Sequence, residues 1–200
     1  STETMSRTPN PIAATLALSI AAIVVYAGVR LYSATAVPDA AAQPAVLTLP
    51  EFSMPDLDGI ETSIRSWPDR PLIVNFWATW CAPCLREIPL LMAYQQAHPD
   101  VQIVGIAVDS EAAVRDFATD MPFSYPVLVG PRGFEAAAAF GAEYVALPLT
   151  VFVAADGRLL TRHMGEVHSE QLDGFTAAIA GLAAGELDFA AASALVEQRQ

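Results

Sequence analysis

Apolar and polar positions follow three different patterns along this chain. Residues Ile12 to Val29, "IAATLALSIAAIVVYAGV", carry no charge. A run of about eighteen apolar or small residues is at the lower edge of what crosses a bilayer as one helix. Arg30 and Tyr32 follow at the expected interface, and Pro9 and Pro11 stop a helix from extending outward. Two later runs, "PLIVNFWAT" (Pro71 to Thr79) and "VQIVGIAVD" (Val101 to Asp109), are shorter and almost wholly apolar. That length and continuity predict central strands buried on both faces.

Elsewhere the apolar residues recur at helical spacing. A helix is predicted from the cysteines onward, carrying Leu85, Ile88, Leu91 and Met92 inward. Another follows a Ser110 cap, with Val114 and Phe117 inside. "FEAAAAFG" reads as a helix ended by Gly141. "SEQLDGFTAAIAGLAAG" reads as a helix capped by Ser169 and ended near Gly185. A short helix from about Glu186 to Gln198 places Leu187, Ala191, Ala194 and Leu195 on one face. Asp58-Gly59 and Asp156-Gly157 mark hairpin turns, and "YPVLVG" a short strand. Strands and helices alternate and a hairpin closes the series, which implies an α/β fold: a mixed sheet with helices on both faces. The expected organisation is a tail over 1–10, a transmembrane anchor over 11–32, a small-residue linker over 33–46, a domain over 47–185 and a helical extension over 186–200.

Charge narrows the partners. The formal net charge is -12, and all ten basic residues are Arg. An acidic chain without basic clusters argues against nucleic acid and against electrostatic docking on anionic lipid. For the apolar run, an uncleaved anchor fits better than a cleaved signal, although "SATA" (Ser33–Ala36) and "DAAA" (Asp39–Ala42) resemble cleavage sites. Arg7 and the terminal amine favour a cytoplasmic N-terminus, which puts the domain in a periplasm, at the inner membrane. Ser1 is no initiator, so Met5 is the expected native start.

The chemistry is concentrated in "NFWATWCAPCLREIP", Asn75 to Pro89, which holds the only two cysteines, Cys81 and Cys84. A closed zinc site needs four ligands, and His98, His163 and His168 are not spaced to supply them. A purely structural disulfide across so short a loop would stabilise little. A redox pair fits the pattern. Cys81 stands where a strand ends and a helix begins, where free N–H groups and the helix dipole favour a thiolate. Pro83 suits the first helical turn, Trp80 shields one side, and Cys84 lies one turn on, deeper but within reach.

These residues carry a resemblance. "FWATWCAPC", with Pro89, Pro148 and "LPLTVFVAADGRL", resembles the thioredoxin superfamily, and within it the membrane-tethered TlpA/ResA-like thioredoxins, from roughly Pro50 to Ala184. The resemblance implies a thioredoxin-like fold with an N-terminal hairpin extension. It implies Cys81 as attacking thiolate, Cys84 as resolving thiol and no cofactor beyond the redox-active disulfide. Pro148 is implied as a cis-proline beside which a client strand pairs, with Leu147 before it shaping the substrate. The acid that thioredoxins bury six residues before the first cysteine is here Asn75, which cannot accept a proton. In the ResA-like branch an acid after the next strand is implied to serve, and Asp109 and Glu111 in "VDSEAA" are the candidates. Equally, both are charges favourable to a helix N-terminus.

The implied activity is thiol–disulfide exchange. In an oxidising compartment a tethered reductant has a distinct use, so reduction of client disulfides is the expected direction. The family implies clients such as apocytochrome c or proteins that assemble a copper oxidase, and a membrane thiol donor. The rivals are a peroxiredoxin, a copper-delivery protein, and a structural subunit of a larger membrane complex. The peroxidatic Pro-x-x-x-Thr-x-x pattern is absent, and copper delivery uses a CxxxC pair with a distant His. The C-terminal helix keeps the subunit reading open, although packing on its own domain is the expected role.

Overall fold

A computed structural model describes residues 23–28, 47–142 and 146–198. The expected tail, the linker and most of the expected anchor lie outside the described residues. Of the anchor, 23–28 form a short helical segment with Ile23 to Tyr26 exposed. Among the described residues, no helix is long and apolar enough to cross a membrane.

The domain from residue 47 onward begins with a hairpin, β1 (Ser53–Pro55) and β2 (Glu61–Ser63), paired antiparallel. Gly59 makes its turn at φ +80°, a conformation open to glycine at no steric cost. The five-stranded sheet has β3 (Leu72–Trp77) at its centre. Around it stand β4 (Gln102–Ala107), β5 (Val127–Leu128), β6 (Leu149–Val153) and β7 (Leu159–Met164), in the order β5-β4-β3-β6-β7. The pairs β3–β4 and β4–β5 are parallel, and β6 and β7 join antiparallel. Every residue of β3 and β4 is buried, as their continuous apolar runs predict.

Alternation along β3 sorts two cores. Leu72, Val74 and Phe76 pack with Met54 and Ile64 of the hairpin and with Phe140, which closes α3 (Gly133–Ala139). Ile73 and Trp77 face the other way, toward α1 (Ala82–Ala97), α2 (Glu111–Asp120), α4 (Ser169–Ala184) and α5 (Phe189–Glu197). Asn75 shares that second face, where its side chain meets α1.

Three local expectations change. The α4 cap is His168, one residue before the expected Ser169, and its N–H donates to Gln171 Oε1 at 2.8 Å. On α1 the buried stripe is Cys84, Glu87, Ile88, Leu91 and Tyr94, while Leu85 and Met92 are only half-buried. On α5 the buried residues are Ala192 and Val196, and Ala191 is exposed. This helix packs against α4 and β7 of its own domain.

Candidate active site

The site is built where β3 runs into α1. Cys81 is the N-cap of α1, with Pro83 in the first turn. Its Sγ accepts from the Cys84 N–H at 3.4 Å and is bonded to Cys84 Sγ at 2.04 Å. Cys81 is 5% exposed and Cys84 is fully buried, so only the first sulfur has an opening to solvent. Trp80 is 67% exposed, so most of its ring faces solvent instead of covering the pair.

The Leu147–Pro148 peptide is cis. Leu149 pairs with Phe76, which sets Pro148 level with the end of β3 that leads to the cysteines. Leu147, half-buried, packs against both cores.

Asp109 and Glu111 have other partners. Asp109 Oδ2 accepts from Thr79 N–H at 2.9 Å and Thr79 Oγ1–H at 2.6 Å, and Oδ1 accepts from Ser110 N–H. Partial burial alone would push its carboxyl up, but these bonds from Thr79 and Ser110 hold it below the ordinary range. A carboxylate so held is a poor proton acceptor. It anchors the turn before Cys81 to the end of β4. Glu111 pairs with Arg115 one turn along α2 at 2.8 Å, on the surface.

The buried acid on the same helix as the pair is Glu87, which is not among the acids that the sequence pattern singles out. It lies three residues after Cys84 on α1, on the same face, and is 1% exposed. Its Oε1 accepts from Asn75 Nδ2 at 2.7 Å, and its Oε2 from the Val167 N–H at 2.7 Å. Asn75 Nδ2 also donates to Thr150 Oγ1 at 3.0 Å. Burial raises the Glu87 pKa from 4.5 to about 7, against the pull of those two hydrogen bonds. Asn75 thus holds in place the carboxyl that the strand itself lacks. The signal was present in the α1 stripe, because Cys84, Ile88 and Leu91 place position 87 on the buried side. Among the described residues, no group of three or more His, Cys, Asp or Glu is placed to hold a metal ion.

Comparison with known proteins agrees with this geometry. Residues 45–179 match the Redoxin family. The chain is 28% identical to the thioredoxin-like protein YneN of Bacillus subtilis, over 62% of this chain and 74% of that one. It is 27% identical to the thiol-disulfide oxidoreductase ResA of Bacillus thuringiensis, over 63% of this chain and 73% of that one. A DsbE-like thiol:disulfide interchange protein of Chlorobium tepidum superposes with a TM-score of 0.60 at 22% identity, over 66% of this chain and 94% of that one, and shows the fold. A secreted disulfide oxidoreductase of Mycobacterium tuberculosis superposes at 0.55 with 27% identity, over 64% and 95%. The chain belongs to the Redoxin family, as a TlpA/ResA-like member of the thioredoxin superfamily.

Proposed function

We propose that this thioredoxin-like thiol–disulfide oxidoreductase is a reductant, which opens disulfides of client proteins outside the cytoplasm through Cys81 and Cys84. The observation that carries the exchange chemistry is the buried Glu87 one turn beyond Cys84 on α1; the reducing direction rests on the oxidising compartment, where a tethered reductant has a distinct use. The reduced protein starts the cycle. Cys81 thiolate attacks one sulfur of a client disulfide; that bond breaks, a mixed disulfide forms and one client thiolate leaves. Cys84 must then lose its proton to attack Cys81. Glu87 accepts that proton, Cys84 displaces the second client sulfur, and the Cys81–Cys84 disulfide forms. The client gains two electrons, its two thiolates take one proton from Glu87 and one from solvent, and the protein loses two electrons. A base directed at the resolving cysteine accelerates the step that releases reduced client, and its protonated form serves the reverse step, so the potential sets the direction. An oxidant would instead need its mixed disulfide attacked by the client's own thiol.

The helix start favours Cys81 as the thiolate, and the cis Leu147–Pro148 peptide before β6 is the proposed client-facing edge. The 11–32 segment would tether the domain to the inner membrane with its N-terminus cytoplasmic, where a membrane thiol donor could reduce it again. Apocytochrome c and copper-oxidase assembly proteins are the proposed clients. Equilibration with reduced and oxidised glutathione tests the direction. The expected potential lies in the thioredoxin-to-glutaredoxin range, roughly -200 to -270 mV; a value near the strongly oxidising end, about -120 mV, contradicts a reductant.

A further inference from the structure

The loop between β7 and α4, residues 165 to 168, directs successive groups at the active site. Gly165 N–H donates to Pro148 O at 2.9 Å. The Glu166 carboxylate takes a two-point grip from Arg86, with Nε at 2.9 Å and Nη2 at 2.5 Å from Oε2. His163 Nε2 lies 3.2 Å from Glu166 O, and Val167 N–H donates to Glu87. Two adjacent residues of α1, Arg86 and Glu87, thus meet two adjacent residues of the loop, Glu166 and Val167. One contact is at the surface and the other is buried.

We propose that the Arg86–Glu166 pair is a clasp that holds the Val167 N–H on the Glu87 carboxyl, and so sets how readily Glu87 takes the Cys84 proton. This deepens the assignment of Glu87 above and rests on it. Arg86 and Glu166 are positioning residues here. A surface ion pair stabilises a fold little, so geometry is the better account of this one. The Arg fork fixes orientation as well as distance, and orientation is what a buried N–H···O bond needs. If the loop drifts, the Glu87 carboxylate loses one of its two donors, and its charged form becomes harder to reach.

Other groups around Glu87 fix the sign of the effect. Its own helix contributes Arg86 and Cys84. Asn75 and Thr150 face it from β3 and β6 as neutral partners, and the buried Tyr125 phenol stands on the β5 side. His163 reaches the Glu166 carbonyl from β7. Glu166 is the nearby negative charge, and it pushes Glu87 up. Removing Arg86 alone would therefore mix a charge effect with loss of the clasp. The double variant Arg86→Met/Glu166→Gln takes the Glu166 charge away, which by itself would lower Glu87, so a rise in its inflection comes from the lost clasp.

The test is the pH dependence of the resolving step, followed as single-turnover oxidation of the reduced full chain at glutathione disulfide concentrations high enough that the rate no longer depends on them, so that resolution and not the Cys81 attack is read. The wild-type rate should inflect near the pH at which Glu87 ionises. The double variant should inflect at higher pH and be about tenfold slower at pH 7, the scale of one lost hydrogen bond to a charged group. Its Val167 amide proton should also move upfield by NMR, with an unchanged near-UV circular dichroism spectrum. Glu87→Gln separates the two ideas. If the inflection persists in that variant, the Glu87 assignment fails and takes the clasp with it. If Glu87→Gln removes the inflection and the double variant keeps the wild-type one, the clasp alone is overturned.

Discussion

Cys81→Ser is expected to reduce thiol–disulfide exchange to the uncatalysed background, whereas Cys84→Ser stops the reaction halfway. The difference follows from where each sulfur sits. Cys81 caps α1, so its Sγ faces helix N–H groups that have no intrahelical partner, one of them the Cys84 N–H at 3.4 Å. Those groups and the helix dipole stabilise a thiolate, the nucleophilic form. A serine hydroxyl at the same cap accepts the same hydrogen bond but stays protonated at neutral pH, so nothing attacks the client. Cys84 cannot substitute, because it is fully buried and has no opening toward a client sulfur. In Cys84→Ser the attack by Cys81 proceeds and resolution does not. The mixed disulfide accumulates, and alkylation of membranes expressing the variant, followed by mass spectrometry, should identify the captured client. Turnover surviving in Cys81→Ser, or no covalent adduct in Cys84→Ser, contradicts the assigned order of attack.

Much of this arrangement was legible in the chain because it depends on short-range rules. The two apolar runs became β3 and β4, since burial on both faces demands nearly unbroken hydrophobicity. Asp58-Gly59 and Asp156-Gly157 became turns because their glycines take φ +80° and +83°. Pro148 was marked as a cis-proline by resemblance, and the peptide is cis. What escaped depends on long-range partners. Glu87 reads as a surface residue when charge alone is considered. Its burial is explained by Asn75, on the adjacent strand, and by Val167, 80 residues away along the chain. Asp109 reads as a free acid until Thr79, 30 residues earlier, occupies it. Likewise the α5 face follows from how that helix meets α4 and β7, and helical spacing alone chose the neighbouring stripe.

Glu87→Gln is the second variant with a large expected effect, and it changes rate and stability through the same proton. Positioned general bases contribute about 10²- to 10⁴-fold, so the resolving step at pH 7 to 8 should slow on that order. The stability effect concerns the disulfide form. Glu87 has a pKa of about 7 in the folded protein against 4.5 in its absence, so the fold binds this proton more tightly than the unfolded chain does. The stability it contributes is fully present below about pH 4.5 and is lost as pH rises through about 7. The interval corresponds to about 3 kcal/mol. Glutamine cannot ionise, so the variant should show no such loss between pH 4.5 and 7. Its absolute stability is less informative, because one amide end must place a donor against Asn75 Nδ2 or the Val167 N–H. The slope is the decisive quantity. Urea unfolding of both proteins at four pH values between 4.5 and 8 reads it directly, and a wild-type slope retained in Glu87→Gln assigns that proton to another group. The burial that makes ionised Glu87 costly to the fold is also what raises its proton affinity enough to serve Cys84 near neutral pH.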